Sequence, residues 1–443
     1  MHSDLRMSNI ERLPRAIQAL ALNAVAKTRT KRDVLYFGTA MDVQPLPSHR
    51  LACLPVYFIN LDLDMIPTAQ QLREPLEDNP TLSRDISCAA ISLDALGRLD
   101  NLGDSDVGIS LWPRVWGWFQ FIRMHRDYLS AIPLGPEVSL YVDLIRFIRR
   151  FHAHKETCAL MSTTPHLWTC MIQAWSILPL IKDPGDRRTL LYVLSQFLSQ
   201  SHARPNSGPL AEMVAAAGSV DDLARLVLDF VRTTITDPPA YPVVDLNNLL
   251  VFVVRAGGCD DDEFDLHFAP LTLALAVLEF EQELLKVILF LCKRPDDHTA
   301  RVIRTCMMLI RHMVELSPPN MWLGVLLQRG LLRALILITQ RTESRDSAAE
   351  KKLHQQVRGF LQEISLGLPY YHPMLAFNIA LKQVEGSISR DAFKDHPLSG
   401  DWEQFLASAR QFLDALDEFH SPSFFVSKAC DNLQVSNSCY SIG

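Results

Sequence analysis

Two short segments of this 443-residue chain hold the residue types of a serine hydrolase. Gly103-Asp104-Ser105 would supply a nucleophile, and Asp417-Glu418-Phe419-His420 a base with an orienting carboxylate. The chemistry needs a serine hydroxyl presented at the end of a strand, a histidine within hydrogen-bond reach and donors aimed at the developing oxyanion. The neighbouring residues do not build that frame. Leu99-Asp100-Asn101-Leu102 is too polar for a buried strand, no Gly-x-Asn-Asp block occurs, and Asp417–His420 ends an amphipathic helical pattern. Asp104 and Ser105 read more simply as loop residues that cap the following turn. A hydrolase built on Ser105 and His420 is therefore the alternative to a non-enzymatic chain.

Metal chemistry is suggested at three places and completed at none. Asp260-Asp261-Asp262-Glu263-Phe264-Asp265 lacks the turn glycine and the closing bidentate glutamate of a calcium loop, and follows Gly257-Gly258 as a solvated loop would. His154 and Cys158 stand at i and i+4 and can share a helix face, but a structural zinc takes typically four donors. Pro165 marks a turn soon after them. Cys430 and Cys439 form a third pair, which would hold zinc only with ligands lent by a partner. The other cysteines, Cys53, Cys88, Cys158, Cys170, Cys259, Cys292 and Cys306, are widely spread, mostly among apolar neighbours, as free thiols of a reducing compartment are. No HExxH, GxSxG, GxGxxG or P-loop occurs. No catalytic residue, cofactor or complete metal site is assigned.

The elements that would position these residues are helical. Leu140, Leu144, Phe147, Ile148 and Phe151 lie on one face of a 3.6-residue period, with Asp143, Arg146, Arg149 and Arg150 on the other. Leu223, Leu226, Val227 and Phe230 repeat the pattern, as do Ile303, Met307, Ile310 and Val314, and Trp402, Phe405, Ala409, Phe412 and Leu416. Ser219 with Asp222, after Gly218, predicts a helix start, and Ser8 with Glu11 a similar one. Gly330 reads as a glycine between two short helices. Prolines fall mainly between periodic segments, where they end helices. Leu51–Leu61 is a β-like apolar run, interrupted by Pro55. Trp112, Trp116 and Phe119 share one helix face and Trp118 and Phe121 another, so this helix is expected to be buried on two sides, with Pro113 in its first turn.

The fold expected is all-α: an irregular, armadillo- or HEAT-like α-solenoid of antiparallel helix pairs over residues 1–420, with a weak break near 97–110 and an unstructured tail at 421–443. Hydrophobic residues make up 48% and charged residues 21%, as in an ordinary folded chain, and the net charge of −7 argues against a nucleic-acid partner. Met1-His2-Ser3-Asp4-Leu5-Arg6 has no continuous apolar run, so a secretory leader is not expected. The run from Leu326 to Ile338 is broken by Arg329, Gly330 and Arg333, short of the ~20 apolar residues of a membrane span. An intracellular protein, cytoplasmic or nuclear and without membrane contact, is expected.

Five blocks, in order, resemble a known family: Leu111-Trp112-Pro113-Arg114-Val115-Trp116, Gly218–Val227, Gly330-Leu331-Leu332-Arg333-Ala334, Pro369-Tyr370-Tyr371-His372 and Lys428-Ala429-Cys430-Asp431-Asn432. Together they resemble an expanded basidiomycete family with a long all-helical region and a C-terminal MYND-type zinc finger. That resemblance implies an armadillo-like scaffold, a finger used for protein–protein contacts, and no enzymatic activity. Cys430 matches the finger's first ligand. The second would fall near position 435, where Val435 stands, and Cys439 is out of register. The finger is expected to be truncated here, leaving 421–443 as its remnant and no zinc unless it were complete. In letters alone, Gly103–Ser105 and Asp417–His420 resemble GDSL-type esterases. The leading expectation is a scaffold whose partner is another protein or peptide.

Overall fold

The computed structural model describes residues 2–43, 47–99, 105–132, 134–151, 154–201, 204–236, 243–258, 269–293, 297–315, 319–340, 348–384 and 396–420. Among these residues the protein is all-α, with twenty-one α-helices, short 3-10 turns and no strand. Close packing divides the chain into two compact units, Met1–His202 with Ser207–Ser219, and Ala203–Asn206 with the described residues from Val220 onward. The break at Val220 coincides with the helix start read from Ser219 and Asp222. Gly218 precedes it at φ +105°.

The first unit holds α1 (Arg15–Val25), α2 (Lys31–Asp42), α3 (Pro47–Ala52), α4 (Leu54–Asn60), α5 (Pro80–Arg98), α6 (Ser105–Met124), α7 (Glu137–Phe151), α8 (Lys155–Ser162), α9 (Leu167–Ser176), α10 (Pro184–Gln200) and α11 (Gly208–Ala217). Their starts have local causes. Thr30 and Asp33 satisfy each other's backbone N–H groups in a reciprocal capping box. The Asn79 and Asp183 side chains each accept a backbone N–H, ahead of Pro80 and Pro184 at the first helical position. Prolines thus open helices here as well as ending them. The run Leu51–Leu61 is helical over Leu54–Asn60, with Pro55 in the first turn, where its missing N–H costs nothing. The box read at Ser8 and Glu11 does not form. Met7–Arg12 is a 3-10 turn capped by Arg6 without a side-chain bond.

Besides sequential pairs such as α1–α2 and α4–α5, several spatial neighbours in this unit are two or three helices apart in the chain. α2 packs on α5, α5 on α7, α7 on α10, α6 on α8, and α9 on α11. Polar bonds between them recur at fixed offsets. Arg29 to Asp85, Arg98 to Asp42, Arg114 to the Phe58 carbonyl and Trp118 to the Asp62 carbonyl each span 56 residues. Gln120 to Cys170 and Arg123 to Gln173 span 50, and Arg146 to Asp186 and Arg149 to Thr189 span 40. Equal offsets within a group reflect the register of one packed pair of segments, and the offset changes from group to group.

The second unit holds α12 (Val220–Thr236), α13 (Val243–Ala256), α14 (Pro270–Val277), α15 (Phe280–Leu291), α16 (Asp297–Glu315), α17 (Pro319–Gln328), α18 (Leu331–Thr339), α19 (Ala348–Gly367), α20 (Tyr371–Val384) and α21 (Ser399–His420). Alongside α15–α16 and α12–α14, contacts here also run to the third helix along. α12, α15 and α18 form one row, α13, α16 and α19 a second, and α17 packs on α20. The core faces read from the sequence are buried at Leu223, Val227, Phe230, Ile303, Met307, Ile310, Val314, Trp402 and Phe405. Gly330 takes φ +105° between α17 and α18, where its lack of a Cβ permits the turn. No single described helix is long and apolar enough to cross a membrane.

α6 carries the aromatic block and starts earlier than Pro113 suggested, so that this proline lies inside the helix. It is tolerated because it sits on the exposed side, and Ile109, whose carbonyl it leaves unpaired, is partly exposed. The two-sided burial is as expected. Trp112 and Phe119 lie against Phe147 and Tyr141 of α7, while Trp118 and Phe121 are buried on another side. A close approach at Gly108 completes the seam, because a Cβ there would meet the buried Phe151 ring at 2.5 Å. Gly108→Ala is expected to destabilise the protein by about 1–3 kcal/mol through overpacking, read as a lower urea midpoint with an unchanged m-value.

Candidate binding cleft in the first unit

Residues from several elements converge on one opening. Ser87, Ala90, Ile91 and Asp94 lie at i, i+3, i+4 and i+7 of α5 and so share a face. Ser139, Leu140 and Asp143 come from the first turns of α7, and Ile122 from the end of α6. Arg126 and the turn through Ile132, Leu134 and Gly135 close one end, with Lys31 of α2 at the rim. The enclosed volume is about 290 Å³, near the lower end of small-ligand sites. Gly135 adopts φ +73°, and its carbonyl accepts a 2.5 Å bond from Arg126 Nη2, which ties the turn to the end of α6. Leu140, expected on the core face of α7, is half-buried and lines this cleft.

A ladder of charge crosses the helices beside the cleft. Arg98 of α5 contacts Asp42 of α2 at 2.5 Å and Asp94 one turn back at 3.0 Å. On α7, Arg146 reaches Asp186 of α10 at 2.7 Å through Nη2 and at 3.0 Å through Nε. Asp143 lies between these pairs and is poorly served by both, since Arg146 stands 3.6 Å away and is committed to Asp186. Gly97 lets α5 approach α7 here, for a Cβ on it would lie 3.1 Å from Asp143 Cα. The Asp143 side chain is 12% exposed. Burial pushes its carboxyl up to about 7, Asp94 adds repulsion, Arg146 and Arg98 pull it down, and Asp186 pushes it up again. Asp94 and Asp143 share the opening with Lys31 and Arg126, so its charged lining is balanced, and Arg126 Nη1 is buried without a hydrogen-bond partner.

The residues singled out in the sequence lie elsewhere. Ser105 is the first residue of α6, and Gly103 and Asp104 fall outside the described residues. His420 ends α21, with Nε2 3.2 Å from the Tyr371 hydroxyl and its ring against Phe419 and Tyr371. His154 precedes α8, while the Cys158 thiol donates to Gln200 Oε1 at 3.0 Å instead of facing a second metal donor. Among the described residues no three His, Cys, Asp or Glu side chains are grouped to hold a metal ion. Cys259, Asp260–Asp265, Cys430 and Cys439 lie outside the described residues, as does all of 421–443. Burial raises the thiols of Cys53, Cys88, Cys158 and Cys306, and that of Cys170 to about 11, which keeps them protonated and unreactive. Asp94 was not singled out, and Asp143 was read only as part of a polar face. The pairs Asp94/Arg98 and Asp143/Arg146 are visible in sequence at i, i+4 and i, i+3, but their approach across α5 and α7 is not.

The class these observations define is an all-α protein of two compact helical units, the first with a cleft lined by charged and aliphatic side chains. No family model, curated protein or solved structure matches the chain.

The raised Asp143 carboxyl makes a signed stability prediction. An aspartate is ordinarily ionised above about pH 4 in the unfolded chain, whereas this one holds its proton to about pH 7 when folded. The folded state therefore binds the extra proton between those limits, and its advantage is complete at low pH and lost as pH rises to 7. Asp143→Asn should match the parent near pH 4 and exceed it at pH 8 by about 2–3 kcal/mol, measured by urea unfolding at both values.

Proposed function

We propose that this protein is a non-enzymatic helical scaffold that binds another protein, with the cleft between α5 and α7 as a contact site. Its helices stack, on this reading, as an armadillo- or HEAT-like α-solenoid. The observation that carries the proposal is the cleft itself. Its lining consists of recognition groups, with the carboxylates of Asp94 and Asp143, the ammonium of Lys31 and aliphatic walls from Ile91, Ile122 and Leu140. Polar bonds that join helices across 56, 50 and 40 residues of chain support the stacking. The resemblance to the basidiomycete family points the same way, towards a scaffold used in protein–protein contacts. The hydrolase reading requires a strand to present Ser105, and the described residues hold none. Zinc belongs to this reading only where a complete finger accompanies the helical units.

A photo-crosslinking amino acid at Ser139, on the exposed rim, tests the scaffold in the protein's own cells. A discrete adduct is expected with the parent and is lost with Asp94→Arg. In parallel, the purified protein should hydrolyse p-nitrophenyl esters no faster than buffer. Turnover abolished by Ser105→Ala would replace the scaffold with the enzyme.

A further inference from the structure

We infer that the interior of the cleft is a site for a small zwitterion of dipeptide size, its carboxylate held by Arg126 and Lys31 and its ammonium by Asp94 and Asp143, with an apolar side chain against the aliphatic wall. Such a ligand goes beyond the scaffold reading and does not depend on it, since the partner is read at the rim. Arg126 carries the carboxylate end. Its Nη2 is bonded to the Gly135 carbonyl, which fixes the guanidinium, while Nη1 is buried in the lining without a hydrogen-bond partner. A buried charged donor left unpaired costs more than an ordinary hydrogen bond returns. A carboxylate that reaches it removes that cost and adds a charge-assisted bond. Lys31 stands exposed at the rim, and among the described residues neither cation forms an ion pair with Asp94 or Asp143. At the other end Asp143 has only the 3.6 Å contact with Arg146, so it too lacks a close partner.

The lining keeps its two signs apart. Arg126 is anchored at Gly135, ahead of α7, whereas Asp143 lies about 9 Å along the axis of α7 from its first residue, Glu137. Asp94 joins Asp143 near the point where Gly97 brings α5 against α7. Two cations at one end balance two carboxylates at the other, so a simple cation or a simple anion would leave one end bare. A zwitterion serves both. In a free amino acid the two charged groups share one Cα and cannot reach both ends. Two extended residues span about 7 Å and leave room for a hydrogen bond at each end. The enclosed volume of about 290 Å³ admits a molecule of that size. Ile91, Ile122, Leu134 and Leu140 offer apolar contact to its side chain.

Isothermal titration of the purified full chain tests this with the dipeptide Ala-Leu, its N-acetyl form, its C-terminal amide and free leucine. Ala-Leu is expected to bind saturably. Blocking either end removes one charge-assisted pair and should weaken binding about tenfold or more. Leucine, which cannot span the two ends, should weaken by a similar factor. Arg126→Gln and Lys31→Gln should each weaken Ala-Leu without weakening its amide further. Asp94→Asn should weaken Ala-Leu without weakening the N-acetyl form further, with the helical circular-dichroism spectrum unchanged throughout. A merely structural effect would not sort the variants by the end of the ligand they touch. Lys31 is exposed, so it reports on the carboxylate end even where Arg126→Gln loosens the Gly135 turn. Failure of Ala-Leu to bind, or equal binding of leucine or of either blocked form, overturns the proposal. Indifference of Ala-Leu to both Lys31→Gln and Asp94→Asn does so as well. A Ser139 adduct that still forms when Ala-Leu fails to bind leaves the scaffold standing and removes only this ligand.

Discussion

Tryptophans buried on different faces of one helix leave α6 almost no surface of its own, and the first unit is built around that constraint. An indole needs both apolar contact and an acceptor for its N–H. Trp112 finds them against Phe147 and at Thr164 Oγ1, 2.8 Å away, and Trp118 bonds the Asp62 carbonyl at 3.1 Å. These acceptors belong to segments 52 and 56 residues distant in the chain. Satisfying both at once sets the places of the segments after α4 and after α8 relative to α6. Arg114 adds a third tie, with its guanidinium 3.9 Å from the Phe58 ring centroid and bonded to the Phe58 carbonyl. The cleft lies between α5, the end of α6 and the first turns of α7.

The cleft departs from what packing alone would favour. A helical seam gains most from apolar contact, yet the α5–α7 seam places a poorly paired carboxylate beside Gly97. Burying a charge without a full partner costs several kcal/mol unless the group takes up a proton. Asp143 takes that course, held near neutrality by burial and by Asp94. Such a group is stabilising as an acid and costly as an anion. Elsewhere the ladder is conventional. Arg146 presents two nitrogens to one Asp186 oxygen, and Arg98 spans two carboxylates on partly exposed helix faces, where each pair contributes little by itself.

Much of the fold was legible. The 3.6-residue periods at Leu144–Phe151 and Ile303–Val314 mark buried helix faces, and Gly330 separates two helices as its lack of a Cβ requires. The aromatic block was read correctly as a helix buried on two sides. Less was legible where local signals compete. Local sequence suggests an interruption at Pro55 and a first-turn place for Pro113, whereas one lies in the first turn of α4 and the other inside α6. Tertiary burial of the flanking aromatic residues outweighs the single backbone bond that Pro113 forfeits. The candidate site was barely visible. Asp94 and Asp143 are 49 positions apart, and each alone resembles any acid beside an arginine on a solvated helix face.

The division between the two sources of information is physical. Periodicity, capping groups and glycine placement act over a few residues, so the sequence alone determined that this chain is helical, where many of its helices begin and which faces they bury. Which helix lies beside which depends on contacts spanning 40 to 56 residues, as at Arg146–Asp186 and Arg98–Asp42. No local pattern encodes those pairings, because a surface arginine is compatible with many acidic partners. Only the tertiary structure decided that α5 and α7 meet at Gly97, and that meeting turns two ordinary aspartates into the facing walls of one cleft.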